Sequence, residues 1–170
     1  MGSMTKDKSK IKEIMTPILV EAGAALQDCQ MFEYGLGLLL LHFSRLGAKG
    51  LDPTTLYAIM EGEKKKTAGQ LLRILRENLH VSPRLEAALP EALAARNRLI
   101  HRVLIDNIEH FLDADARNQV IKEIRRLRST VRKADALIRP FIEGLSLALD
   151  GYDAKADLKQ AIKKINADDN

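Results

Sequence analysis

A chain of 170 residues with 46% hydrophobic content holds one domain with a substantial core and is too short for two comfortable ones. Aromatic residues are only 4%, tryptophan is absent, and leucine, alanine, isoleucine, lysine, arginine and glutamate dominate, which argues against a sheet protein and predicts an all-α fold. The net charge of +4 permits a polyanionic partner without requiring one, and a single cysteine, Cys29, excludes an intramolecular disulfide.

The opening Met1-Gly2-Ser3-Met4 reads as an expression scar, leaving residues 5–166 as one helical domain and 167–170 as a frayed C-terminus. From Lys10 to about Leu46, Ile11, Ile14, Ile18, Ala22, Ala25, Cys29, Phe32, Leu36, Leu39 and Phe43 recur at three- and four-residue steps. This predicts one long helix, or two divided at Thr16-Pro17, where proline removes a backbone donor. Gly47 and Gly50 supply the stop. Asp52-Pro53 opens a helix to about Glu61, the run Lys64-Lys65-Lys66 crosses a solvated connection, and Thr67 caps a further helix to His80. Ser82-Pro83 repeats the start signal for a helix to about Ile105, with Pro90 as a kink or as the start of its second half. Asp113 opens the last long helix, kinked at Pro140 and ended by Gly151, and a short amphipathic segment spans Asp153 to Ile165. The expected architecture is a single-domain bundle of about five or six helices, its short connections favouring antiparallel neighbours. No signal-peptide pattern or bilayer-length apolar run is present, so the expected location is the cytoplasm, with no membrane partner.

Within this pattern the stretch Ala95-Arg96-Asn97-Arg98-Leu99-Ile100-His101 sets polar groups among apolar ones. At about 100° per residue, Leu93, Asn97, Ile100 and Leu104 share a stripe about 60° wide, with His101 about 40° from Asn97. Asn97 and His101 are therefore expected on the inward face, satisfying each other one turn apart. Arg96 is displaced by about 100° from Asn97 and about 140° from His101, so one straight helix does not easily aim both at one target. A locally satisfied polar pair, with Arg96 snorkelling outward, accounts for the spacing without any chemistry.

The string Arg96-Asn97-Arg98-Leu99-Ile100-His101 resembles the signature of the HEPN superfamily, in which an arginine, usually followed by a polar residue, precedes a histidine by a short spacer in a helical bundle. The resemblance covers six residues sharply and the rest of the chain only in its helical character. It implies a metal-independent endoribonuclease of toxin–antitoxin or defence type, without a cofactor, whose active site forms across a homodimer. On that reading the RNA 2′-hydroxyl attacks the adjacent phosphodiester. His101 acts as general base or acid, Arg96 holds the phosphate, and Asn97 orients His101 or a substrate oxygen. Two chains would bring the arginine and histidine together where one helix does not. An antitoxin protein is a further implied partner, although some such toxins carry a modifiable tyrosine two residues after the histidine, where this chain has Val103. The alternative is a non-catalytic HEPN-like module for dimerisation or for binding RNA or protein.

Arg98 and Arg102, one turn apart, are candidate phosphate contacts, as are Arg125, Arg128 and Arg132 on one face of the last long helix; a solvated face explains these charges equally well. Glu33 and Tyr34 either reach the cleft or edge the core. His42, His80 and His110 have no metal-site spacing, so no metal is predicted. Cys29 reads as a buried, inert thiol, and Gly35-Leu36-Gly37 as a place of close helix packing.

Overall fold

A computed structural model of the chain describes residues 3–48, 51–60, 68–78 and 82–149. The fold is an all-α bundle of α1 (Ser3–Arg45), α2 (Pro53–Met60), α3 (Ala68–Asn78), α4 (Pro83–His101) and α5 (Ala114–Leu149), with a single 3₁₀ turn at Ile108–His110. No described helix is long and apolar enough to cross a membrane. The expectations for Lys64 to Lys66, Thr67, His80, Gly151, the segment Asp153 to Ile165 and both chain ends, residues 1–2 and 167–170, fall outside the described residues.

The starts and stops follow side-chain chemistry. Asp52 accepts from the backbone N–H of Thr55 at 2.9 Å and of Thr54 at 3.3 Å, Ser82 accepts from Leu85 at 3.4 Å, and Asp113 accepts from Ala116 at 2.7 Å. At the end of α1, Gly47 has φ +84°, its N–H bonds to Ser44 and that of Ala48 to Phe43. This paired closure of the last carbonyls turns the backbone left-handed, where a glycine is unstrained.

Of the two readings of the first helix the unbroken one holds, and one helix boundary differs. Pro17 does not divide α1, which runs unbroken from Ser3 to Arg45. Proline leaves one carbonyl without its helical donor, and Pro17 is exposed, so that carbonyl is not sealed in the core and the helix continues through it. α4 stops at His101 instead of continuing to Ile105, and residues 102–107 form successive turns. Pro90 and Pro140 likewise lie inside continuous helices.

Three helices make the core, and their directions follow from who touches whom. Glu21 meets Arg125, Asp28 meets Arg128, Gly35 faces Ile138 and His42 meets Ser146, so α1 and α5 run parallel. Glu33 meets Arg96, whereas Leu19 and Leu26 share a groove with Leu99 and Leu104, so α4 runs antiparallel to α1. Short connections do not impose antiparallel pairing on the two longest helices, because α2, α3 and α4 lie between them in sequence. Ile18, Cys29, Phe32, Leu36, Leu89, Ile124 and Ile138 fill the space between the three. The glycines allow the approach: a Cβ on Gly35 would stand 3.0 Å from Ile138 Cδ1, and one on Gly37 would stand 3.2 Å from Met60 Cγ.

Buried polar groups mark the end of the bundle where α1 and α5 finish. Ser44 donates to the Leu51 carbonyl at 2.6 Å, and His42 Nε2 lies 3.0 Å from Ser146 Oγ while its Nδ1 is buried without a partner among the described residues. Burial, and secondarily the positive charge of Arg45, lowers the His42 pKa below its ordinary value.

Candidate functional site

α4 turns a different face inward from the one its large apolar residues suggest. Leu85, Leu89, Ala92, Ala95 and Leu99 are its buried residues, while Leu93, Ile100 and Leu104 are half-buried at the edge. Small alanines let α4 pack closely on α5, so the centre of the contact is less hydrophobic than its margin. Arg96 then lies about 40° from the centre of the buried stripe, and Asn97 and His101 lie about 140° and 180° away. The expected assignment is reversed: the Arg96 side chain is only 16% exposed, whereas Asn97 and His101 are exposed.

Burying a guanidinium requires a counter-charge, and Glu33 of α1 provides it. Arg96 Nε donates to Glu33 Oε1 in a short ion pair. Nη1 then donates to Asn97 Oδ1 at 3.1 Å and lies 3.2 Å from His101 Nε2. Arg96 and His101 of one chain are thus in contact, contrary to the expectation that they meet only when two chains do. His101 is the last helical residue, and the long arginine stem crosses the remaining angle from the inside. Sequence reasoning left Glu33 undecided between cleft and core edge; the signal was a carboxylate on the buried side of an apolar helix, next to Phe32. Tyr34 is exposed.

This geometry has chemical consequences. A guanidinium has donors only, so a hydrogen bond to His101 Nε2 requires the neutral imidazole with its proton on Nδ1. Nε and Nη1 have named partners, while Nη2 makes no hydrogen bond to a described residue and retains two donors for an incoming anion. Cys29, one turn before Glu33, is buried and its thiol is pushed up to about 11, by burial above all, with the Arg96 charge opposing, which agrees with an inert thiol.

The remaining candidates separate into engaged and open side chains. Arg98 Nε donates to Glu123 at 2.9 Å and Nη1 pairs with Asp106. Arg125 pairs with Glu21 at 2.6 Å, and Arg128 with Asp28. These carboxylates on neighbouring elements were not anticipated, and they neutralise three of the five arginines considered for RNA contact. Arg102 and Arg132 are exposed and form no ion pair with a described residue. Arg132 borders a hollow of about 520 Å³ between α1 and α5, beside Arg125, Arg128 and Lys133. Among the described residues no group of three or more His, Cys, Asp or Glu side chains is placed to hold a metal ion.

A groove of about 300 Å³ lined by Leu19, Leu26, Ile100 and Leu104 opens beside the same end of α4, and Ile105, Ile108 and Leu112 are exposed on the chain that follows. No protein-family model, curated protein or solved structure matches the chain.

Proposed function

We propose that the chain is a HEPN-like, metal-independent endoribonuclease that cleaves RNA at Arg96, Asn97 and His101. The single observation that carries the reading is the contact of Arg96 Nη1 with both Asn97 and His101 at an exposed helix end. On this account a backbone phosphate takes the donors of Arg96, including the unused Nη2. That releases the Nε2 lone pair of His101, which removes the proton from the neighbouring 2′-hydroxyl. The 2′-oxygen attacks phosphorus, the P–O5′ bond breaks, and the 5′-oxygen leaves as the alcohol after taking a proton from solvent water, to which His101 in turn gives up the proton it removed. Charge developing on the non-bridging oxygens faces the guanidinium, where a preorganised donor is most effective. Glu33 holds Nε from behind and keeps the other end of the fork turned outward.

A homodimer accommodates the apolar groove and the exposed Leu19, Ile105, Ile108 and Leu112, which lie beside the site. Two copies of the intrachain pair would then flank one RNA strand, with Arg102 and Arg132 available to its phosphates. An antitoxin that covers this face fits the toxin or defence context that the motif suggests, as does a cytoplasmic location.

The test is cleavage of single-stranded RNA in EDTA, with products bearing 2′,3′-cyclic phosphate and 5′-hydroxyl ends. His101→Ala and Arg96→Ala are expected to abolish it, with helicity unchanged in His101→Ala. Failure of the wild-type protein to cut a diverse RNA pool would support the non-catalytic dimerisation or binding module instead.

A further inference from the structure

The exposed face of α5 carries charge of one sign. From Lys122 to Arg139 its exposed positions include Lys122, Arg125, Arg126, Arg132, Lys133 and Arg139, with Ser129 and Ala136 between them and no carboxylate among them. The acidic residues of that stretch turn toward the seams instead: Glu123 pairs with Arg98 of α4, and Asp135, beside Gly35 of α1, with Arg139. Glu21 and Asp28 of α1 engage Arg125 and Arg128. Lys122, Arg126, Arg132 and Lys133 are left without an ion pair to a described residue. A face that only keeps a helix in water mixes the two signs, as α3 does where Arg73 lies 3.6 Å from Glu77, both exposed. On α5 the like charges one turn apart, Lys122 and Arg126, repel each other until an anion lies between them.

α5 buries its opposite face against α1 and α4, so this ridge points away from the seam between α1 and α4 that holds Glu33, Arg96 and the apolar groove. Small Ser129 and Ala136 form its floor. Arg125 and Arg132 stand on one side and Arg126 and Lys133 on the other, the members of each pair about 10 Å apart along the axis. A hollow of about 520 Å³ opens toward α1 and one of about 660 Å³ toward α4, where Arg84 and Glu91 form the far wall, and Lys133 and Ala136 border both. No aromatic or large apolar side chain is exposed between Lys122 and Arg139, so unpaired bases have nothing to stack on and a lipid surface has no side chain to take up. Backbone phosphates remain, and a duplex sets them most densely, at one negative charge per about 1.7 Å of its axis. We propose that the outer face of α5 is a docking surface for the phosphate backbone of a nucleic-acid duplex, held by Lys122, Arg126, Arg132 and Lys133 without reading its bases. The surface stands whether or not the chain cleaves RNA; where it does, the ridge holds a base-paired part of the substrate away from the cut.

The test is fluorescence anisotropy with a labelled RNA duplex of about 20 base pairs, a DNA duplex of matched sequence and the unpaired RNA strand, between about 50 and 200 mM salt. His101→Ala is the background, so that the probe is not consumed and binding is read apart from cleavage. Duplex is expected to bind, with an affinity that falls steeply as salt rises. Arg126→Gln combined with Lys133→Gln should raise Kd about tenfold or more and flatten the slope of log K against log salt by about 2, as for two lost phosphate contacts. Ser129→Glu, which plants a carboxylate on the floor, should weaken binding in the same direction, and Arg126→Lys combined with Lys133→Arg should retain it. Arg73→Gln combined with Arg76→Gln removes the same charge from exposed positions of α3 and should leave the slope unchanged. An equal loss in the α3 and α5 variants would trace the effect to net charge and overturn the proposal. So would an unchanged slope in the α5 variant, tighter binding of the unpaired strand than of duplex, or capture on phosphatidylserine vesicles of a protein that binds neither duplex. The ratio of RNA to DNA affinity identifies which duplex the surface prefers, and binding of either through these side chains supports the proposal.

Discussion

The two ends of the bundle are fastened by different means. Where α1 and α5 finish, buried matter holds the structure: Gly37 against Met60, Ser44 on the Leu51 carbonyl, and His42 against Ser146. Where α4 finishes, ion pairs at or near the surface hold it: Arg96 with Glu33, Arg98 with Glu123 and Asp106, and Arg125 with Glu21. Burial supplies stability, whereas partly solvated ion pairs add little to it but fix direction. Ion-paired side chains are therefore gathered at the end where α4 finishes, on top of a core that reaches it through Ile18, Val103 and Ile124.

Substitutions sharpen this contrast when ordered by size. Leu40→Ala, at a fully buried position of α1, should cost about 2–5 kcal/mol in urea unfolding, a large part of the roughly 5–15 kcal/mol typical of a domain. His42 contributes through pH. Its folded pKa lies below the ordinary 6.5, so the unfolded chain binds the proton more readily, and stability present above about pH 6.5 is lost as pH falls toward the folded value. The urea midpoint should drop between pH 7.5 and pH 5.5, and His42→Leu should flatten that slope; an unchanged slope would place the acid sensitivity elsewhere.

At the opposite end the effects should shrink. Asp113→Ala removes the cap of α5 and should cost about 1 kcal/mol, with Asp113→Asn close to wild type because asparagine caps comparably. Arg125→Ala removes a largely exposed guanidinium from its pair with Glu21, which Arg128 also approaches, and should leave the unfolding midpoint within error. A loss at Arg125 comparable to that at Leu40 would erase the distinction between the ends.

The sequence revealed local chemistry better than facing. Asp52, Ser82, Gly47 and Asp113 were legible because a cap is written in one residue and its neighbours. The end of α4 was not, because it depends on Glu123 and Asp106, which come to Arg98 only in the folded chain. The inward face of α4 was misread for a related reason. Leu93, Ile100 and Leu104 outweigh Ala92 and Ala95 in hydrophobicity, yet close helix approach favours the alanines, and that favour is a property of the neighbouring helices. Arg96 could not be placed inside until Glu33 was seen opposite it. The six-residue motif thus singled out the cluster of Arg96, Asn97 and His101, while tertiary structure determined which of its side chains is anchored and which is presented.

The central claim is that one chain assembles its own arginine–histidine pair, and a mixing experiment tests it directly. On the proposed homodimeric ribonuclease, Arg96→Ala and His101→Ala subunits, each expected to be inactive alone, are unfolded and refolded together to allow mixed dimers, and RNA cleavage in EDTA is measured. The intrachain pair predicts no recovery, because neither subunit carries both groups. Recovery of about a quarter of wild-type activity, from the one intact cross-chain pair in each mixed dimer, would contradict it and assign the working arginine and histidine to different chains.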